Sequence, residues 1–321
     1  MAKLRVLHLS DTTLSGSPIR IVDLINKHSE KFEARHLVWN PTTGFRTFQT
    51  DLIGTDMDAS QLHHWVHAYP DIIHFHNRWQ RQEVFKVVRM PERPSVIQIH
   101  SPRFGQERFE AEANSGVPIA IIAQQHPAQW PEASYVVPNV VDITSPEYLR
   151  ATPPLRTIPV VSYAPSNVVC KGMDNKGYNL VMPTLKRLKF ANKIYLQLIT
   201  QKPHNQVMEL KRGADIGIDE IVTGGFHLSS LEYLALGVPC FANLDKATTD
   251  VVKKVTGCVG KLPWLKATPE SFERELCKII AAKSWQELGR KSREWMSKYW
   301  SPQALLPHYE SMYADLLEKQ A

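Results

Sequence analysis

Cysteine is scarce in this chain: among 321 residues only Cys170, Cys240, Cys258 and Cys277 carry a thiol, and no two of them form a C-x-x-C pair. Neither a disulfide framework nor a cysteine-built zinc site is indicated, and a reducing cytoplasmic compartment is the simplest expectation. Long apolar runs are missing as well. The longest, such as Val117 to Ala123, hold about seven residues, whereas a spanning helix needs roughly 20, so no transmembrane segment is expected and any membrane contact is peripheral. The N-terminal stretch LRVLHLSD is interrupted by His8 and closed by Asp11, too short for the apolar centre of a signal peptide. There is no low-complexity segment. No G-x-G-x-x-G follows the first apolar run either, which ranks a dinucleotide-binding oxidoreductase low.

What is present is ordinary globular composition, 43% hydrophobic and 22% charged, which argues against disorder, collagen and coiled coil. The length favours two domains, each able to bury a core unaided. Lys and Arg number 38 against 32 Asp and Glu, a formal charge of +6. The excess is uneven. Residues 1–142 carry 14 Lys or Arg against 15 Asp or Glu and 10 of the 13 histidines, while the remainder carries 24 against 17. The charge therefore belongs to the second half of the chain.

Short β-rich runs alternate with amphipathic ones, the pattern of βα units wound into parallel sheets. Strands are expected at Arg5 to Leu9, Ala34 to Trp39, Asp71 to Phe75, Ser95 to His100, Pro118 to Ala123 and Val136-Val137. Helices are expected around Ile19 to Lys27, Ser60 to Ala68 and Gln82 to Arg89. A Pro-rich stretch without helical period, 143–159, reads as a linker after a first domain 1–142. The alternation then restarts over 160–300. Strands are expected at Val160 to Ala164, Ile194 to Thr200, Asp215 to Ile218 and Cys240 to Asn243, and helices near Tyr178 to Leu188, Asn205 to Arg212 and Leu228 to Leu236. The last fifty residues are mostly helical. Ligands in such sheets bind beyond the carboxyl ends of the strands, so candidate site residues are sought there.

The first strand runs into Ser15-Gly16-Ser17-Pro18, a tight turn opening a helix, where free amides could hold an anion or a sugar. Alternation places His74 and His76 on one face of their strand, but two histidines without a third ligand are weak grounds for zinc. His63, His64 and His67 read as one face of a helix. Asp56-Met57-Asp58 precedes that helix and is expected to cap it. His100 ends its strand facing the ligand side. Further on, Lys171-Gly172 and Lys176-Gly177 lie between a strand and a helix, the outline of a phosphate site. The strongest segment, ADIGIDEIVTGGFHLSSLEYLALGVP, places Ser229 and Ser230 at a helix start, where they could grip a diphosphate. Glu232 follows one turn on, suited to the hydroxyls of a ribose.

Five of these segments, in this order, resemble motifs of the GT-B glycosyltransferases, especially the retaining enzymes of family 4. DIIHFH is similar to their D-h-h-H-h-H strand, IQIHSP to T-x-H-D, and VVPNVVD to V-I-P-N-G-V-D. NKGYNLVMPTLKRL is similar to their K-G-x-x-x-L helix, and GGFHLSSLEYLALGVP to E-G-F-G-L-S-x-L-E-A-x-A-x-G-x-P. The resemblance implies an α/β fold of two Rossmann-like domains about a central cleft, with the helix of residues 301–321 crossing back to the first. It implies a nucleotide-diphosphate sugar donor, with a UDP-sugar favoured, a glycan or similar acceptor, no cofactor and no metal. By position, Lys176 holds the donor diphosphate together with Lys171, Glu232 binds the ribose, and Ser229 and Ser230 cradle phosphate, with Gly225, Phe226, His227 and Leu228 leading into them. His100 lies by the reacting carbon, and Gly16 with Ser17 lines the same cleft.

One departure stands out. The family pairs two glutamates eight positions apart, and the position eight before Glu232 is Gly224; likewise His227 stands where a glycine is usual. Either Asp219, grouped with the catalytic residues His100 and Lys176, or its neighbour Glu220 substitutes for the missing carboxylate, or the donor carries a different sugar. Removing Lys176 or Glu232 is expected to cost donor binding with the fold intact. The missing glutamate also admits a noncatalytic binder, and similar architecture admits a sugar-nucleotide epimerase. A compact basic transferase could instead modify hydroxymethylated DNA, with Arg78, Arg81, Lys86, Arg89 and Arg93 as the rim that holds phosphates.

Overall fold

A computed structural model describes residues 2–41, 48–100, 109–124, 129–151, 156–165, 169–170 and 173–319, giving backbone alone for 169–170 and 173–175. The chain divides into an N-terminal unit, Met1–Val140 with Pro302–Ala321, and a C-terminal unit, Val141–Ser301.

Seven strands form the N-terminal sheet: β1 (Leu4–Ser10), β2 (Phe32–Val38), β3 (Leu52–Ile53), β4 (Ile72–His76), β5 (Ser95–Ile99), β6 (Ile119–Ile122) and β7 (Tyr135–Val137). They pair in parallel in the order β3-β2-β1-β4-β5-β6-β7. Helices α1 (Ser17–His28), α2 (Ala59–His63) and α3 (Glu110–Ala113) lie in the connections. Strand alternation sorts the side chains: Leu7, Leu9, Ile73, Phe75, Ile97 and Ile99 join one apolar core with Trp130. The other face is polar at its centre. In register across three strands, His36 pairs with His8 and His8 with His74, and all three are buried.

In the C-terminal unit β8 (Val160–Tyr163), β11 (Tyr195–Leu198), β12 (Ile216–Ile218) and β13 (Cys240–Phe241) are parallel in the order β11-β8-β12-β13. A small antiparallel hairpin, β9 (Val169–Cys170) with β10 (Met173–Asp174), stands apart. Helices α4 (Tyr178–Phe190), α5 (His204–Arg212), α6 (Leu228–Ala235), α7 (Lys246–Thr256), α8 (Phe272–Ala282) and α9 (Trp285–Tyr299) complete it, and α10 (Pro302–Glu318) rejoins the N-terminal unit. There Tyr309 Oη donates to Pro138 O at 2.7 Å, and Ser29 Oγ donates to Glu310 Oε1 at 2.6 Å. The segment read as a linker packs on the C-terminal unit: Tyr148 is buried, Arg150 Nη2 donates to Ala214 O at 2.5 Å, and Arg156 Nη1 donates to Asp215 Oδ2 at 3.0 Å.

Two helices expected in the first half are shorter than their patterns suggest. Between Gln82 and Arg89 only Glu83–Lys86 forms a 3-10 turn, because Gln82 Nε2 ties the segment to Leu9 O (3.0 Å) and Arg78 O (2.8 Å) and prolines follow at 91 and 94. The stretch expected as Ser60 to Ala68 divides into α2 and a wider π turn, His64–Ala68, just before Pro70. Asp58 caps α2 by accepting from Gln61 N at 2.8 Å, while Gln61 Oε1 accepts from Asp58 N at 2.9 Å, a full capping box.

Candidate functional site

In each sheet the strand order reverses once, and side chains just beyond the strand ends at that reversal are where an open parallel sheet can hold a ligand. In the C-terminal unit the reversal lies between β8 and β12. Ala164 follows β8 and Asp219 follows β12, and Lys176 joins them. Its ammonium donates to Asp219 Oδ1 at 2.6 Å and to Ala164 O at 3.2 Å. The turn that aims it is strained, with Lys176 and Gly177 both left-handed (φ 59° and 74°). A Cβ on Gly177 would come within 2.7 Å of Val222 Cγ2, so glycine is required there on two counts. Tyr163 Oη donates to Lys176 O at 3.0 Å and fixes the turn from below.

Asp219 is fully buried, and both of its oxygens are engaged: Oδ2 accepts from His227 N at 2.6 Å, while Oδ1 meets Lys176 and lies 3.4 Å from His227 Nδ1. Burial raises its pKa, but the opposing pull of Lys176 and His227 outweighs that and holds the carboxyl far below its usual range. Expected to stand in for a donor-contacting glutamate, Asp219 here meets Lys176 and the start of α6. Glu220 is likewise committed, its Oε1 accepting from Val222 N (2.7 Å) and Thr223 N (3.0 Å).

A second buried pair lies along α6. Glu232 Oε2 accepts from Lys211 Nζ at 2.6 Å and Oε1 lies 3.2 Å from His204 Nε2, whose Nδ1 is 3.3 Å from Glu147 Oε1. Lys211 is 1% exposed, sits over the Tyr233 ring at 4.6 Å and donates to Ser229 Oγ at 2.8 Å. Burial lowers its pKa and Glu232 opposes the shift. Lys211, His204 and Glu147 were not singled out in the sequence. Lys211 in the last turn of α5 reads there as ordinary dipole compensation.

The remaining expected residues divide. Gly225, His227, Leu228 and Ser229 lead into or open α6. Phe226 is a core side chain, its ring 4.6 Å from that of Trp264. Ser230 is fully buried, donating to His227 O (2.9 Å) and accepting from Trp264 Nε1 (2.9 Å), so its hydroxyl serves the fold. Lys171 lies outside the described residues. At Gly224, left-handed at φ 83°, a Cβ would come within 2.8 Å of Asp245 Oδ2, so the Asp245 carboxylate fills the space where a side chain at position 224 would begin.

In the N-terminal unit the reversal lies between β1 and β4, and a cavity of about 320 Å³ opens there. Asp11, Thr12 and Leu14 line it from the end of β1, His76, Asn77 and Arg78 from the end of β4, with Arg81 and Phe109 beside them. Gly16 is left-handed (φ 77°) and a Cβ there would strike Phe48 at 2.7 Å; Ser17 is the first residue of α1. Three of the five residues of the expected basic rim are ion-paired. Arg78 meets Asp11 at 3.2 Å, Arg81 meets the buried Glu112 at 2.8 Å, and Lys86 meets Glu83 at 2.7 Å.

Beneath this cavity the histidines join into a chain. His8 Nδ1 lies 3.0 Å from His76 Nε2, and His76 Nδ1 lies 2.7 Å from His100 Nε2. Tyr313 Oη lies 2.8 Å from His74 Nδ1 and 3.3 Å from His8 Nε2. His100 is held besides through its backbone N–H, which donates to Asn77 Oδ1 at 2.7 Å. His8, His74 and His76 each offer a nitrogen within 4.8 Å of the others, close enough to prompt a test for a metal. Ligation would need their lone pairs to converge on a point about 2.0–2.1 Å from each. Instead the His8 and His76 nitrogens face each other, while the His74 ring lies 4.5 Å from each and 18° from the His76 plane. The geometry is that of hydrogen-bonded imidazoles. Burial, then mutual repulsion, lowers the pKa of His8 and His76 well below 6.5, and that of His74 falls to about 3.

No protein-family model and no curated protein matches the chain. Solved structures do. A glycosyltransferase from Rickettsia africae superposes with TM-score 0.64 at 12% identity, over 99% of each chain. The Anabaena protein HepE in complex with UDP-glucose superposes with TM-score 0.63 at 12% identity, over 97% of this chain and 100% of that one. Sucrose-phosphate synthase from Thermosynechococcus elongatus gives 0.62 at 11%, over 99% and 100%. The chain has the GT-B fold of these glycosyltransferases. Among the described residues, no helix is long and apolar enough to cross a membrane.

Proposed function

We propose that the protein is a metal-independent, retaining glycosyltransferase whose C-terminal unit binds the nucleotide diphosphate of a sugar donor, UDP-linked. The observation that carries this reading is the placing of two buried lysine–carboxylate pairs, Lys176–Asp219 and Lys211–Glu232, at the sheet reversal and along α6. Buried ion pairs cost desolvation and contribute little net stability, so finding one at the sheet reversal, where an open parallel sheet can hold a ligand, and another along α6 favours function over scaffolding. The HepE complexes with UDP and with UDP-glucose, on the same fold, support a uridine diphosphate donor.

In this reading Lys176, aimed by Asp219, and the amides opening α6 stabilise charge that builds on the departing diphosphate more strongly than in the ground state. The leaving phosphate takes the acceptor's proton, so no dedicated base and no metal is needed. Glu232, held by Lys211 and His204, retains acceptor capacity for ribose hydroxyls, since each carboxylate oxygen accepts more than one hydrogen bond. The cavity beside His76 receives the acceptor. Its arginines are neutralised by Asp11 and Glu112, which favours a neutral glycan hydroxyl over the phosphates of DNA.

The test is a panel of nucleotide sugars incubated with simple glycans and with hydroxymethylated DNA, read by mass spectrometry. A glycan gaining one hexose supports the reading. Donor conversion without acceptor, or binding without turnover, contradicts it.

A further inference from the structure

His8, His76 and His100 are linked nitrogen to nitrogen, and the links use Nδ1 of one ring and Nε2 of the next each time. A neutral imidazole has one N–H and one lone pair, so each link requires one ring to donate and its neighbour to accept. If His76 donates from Nε2 to His8, its Nδ1 must accept, and His100 must then donate from Nε2. If His76 donates from Nδ1, His100 must accept at Nε2 and carry its own proton on Nδ1. Mixed arrangements place two protons or two lone pairs face to face. The chain thus has two neutral states, in which all three rings carry the proton on the same-named nitrogen.

The far end of the chain meets Tyr313 on α10. Its hydroxyl has one proton and stands between His74 Nδ1 and His8 Nε2. Donation to His8 selects the Nδ1–H state of all three rings; donation to His74 selects the Nε2–H state. Ring placement suits such coupling: His8 and His76 lie side by side with centroids 5.2 Å apart and planes 20° apart, so the facing N–H and lone pair are close to coplanar. Among the described residues, the polar groups around these rings include His36 from β2, His74 from β4 and Tyr313 from α10, with Gln98 beside His74 and Tyr309 beside Gln98. The charges acting on His8 and His76 among those residues come from other histidines, so no anion there favours an imidazolium at either ring.

We propose that Tyr313, His8 and His76 form a tautomer relay that sets which ring nitrogen of His100 carries the proton, so that the C-terminal helix governs the state of a side chain at the carboxyl edge of the sheet. Tyr313, His8 and His76 are positioning residues in this scheme. The wrong tautomer of a catalytic histidine is costly even when its position is unchanged. Only the kinetic arm of the test rests on the transferase reading above; the spectroscopic arm does not.

Full-length protein labelled with ¹⁵N-histidine is examined by two-bond ¹H–¹⁵N correlation, with rings assigned by single substitutions. His8, His76 and His100 are expected neutral at pH 7.5 and protonated on the same-named nitrogen. Tyr313→Phe, and His8→Asn as a second break that leaves α10 in place, are expected to shift the His100 tautomer ratio. Both are expected to lower kcat by at least about tenfold with donor KM nearly unchanged. Opposite tautomers among the three rings in the unaltered protein, or a His100 spectrum indifferent to both substitutions, would overturn the relay. Absence of any transfer activity with the spectroscopic result intact would count against the donor reading and leave the relay standing.

Discussion

Lys211 Nζ lies 2.6 Å from Glu232 Oε2, and both side chains are buried, so the carboxylate expected to hold a ribose is anchored before any ligand arrives. An anchored acceptor loses little freedom on binding. Lys211→Met removes the anchor and leaves Glu232 buried without its lysine, and breaking a buried pair in this way costs about 3–5 kcal/mol. Lys211→Met combined with Glu232→Gln is expected to recover much of that stability without recovering UDP binding. Urea unfolding of the three variants, beside calorimetric titration with UDP, checks both halves.

Lys176 calls for similar care. Its removal was expected to spare the fold, but Asp219 is wholly buried, and Lys176→Ala leaves that carboxylate without its main counter-charge. The single variant is therefore expected to unfold at distinctly lower urea than Lys176→Met paired with Asp219→Asn, while both lose transfer activity. Equal midpoints for the two would mean that the pair carries no structural weight.

Acid should act first on the N-terminal unit. Buried histidines with lowered pKa bind fewer protons folded than unfolded, so stability is full above the ordinary value of 6.5 and falls as pH drops below it. The window extends to about 4 for His36 and about 3 for His74, with His8 and His76 also lowered. Each such group contributes a slope of up to about 1.4 kcal/mol per pH unit inside its window. Asp219 has its pKa lowered too, but its contribution is lost only below about 4, the unfolded carboxylate value. Hydrogen exchange read by mass spectrometry at pH 7 and pH 5, corrected for intrinsic rate, is expected to show the N-terminal sheet losing protection while the C-terminal sheet keeps it.

Much of the fold was legible because period-2 apolar runs and Gly or Pro punctuation are local signals. β1, β4, β5 and β8, the turn at Gly177 and the opening of α6 all fall within a few residues of where the pattern places them. The segment from Gln82 to Arg89 misled because its apolar spacing is helical, whereas its course is set by Gln82 bonding to Leu9 O on a distant strand. Candidate site residues near a glycine turn or helix start were nominated for the same local reason. Lys211, His204 and Glu147 were not, since only tertiary packing brings α5, which carries the first two, to Glu232 and sets Glu147 beside His204. The histidine chain was half visible: alternation placed His74 and His76 on one face, but His8, His100 and Tyr313 reach them through sheet register and the return of α10.

Calorimetric titration of UDP into the unaltered protein and into Glu232→Gln tests the central claim most directly. The account predicts one binding site per chain in the unaltered protein, and binding weakened by about tenfold or more in Glu232→Gln, the loss expected for a hydrogen bond to a charged group. No heat of binding in the unaltered protein, or the same affinity in both, would contradict it.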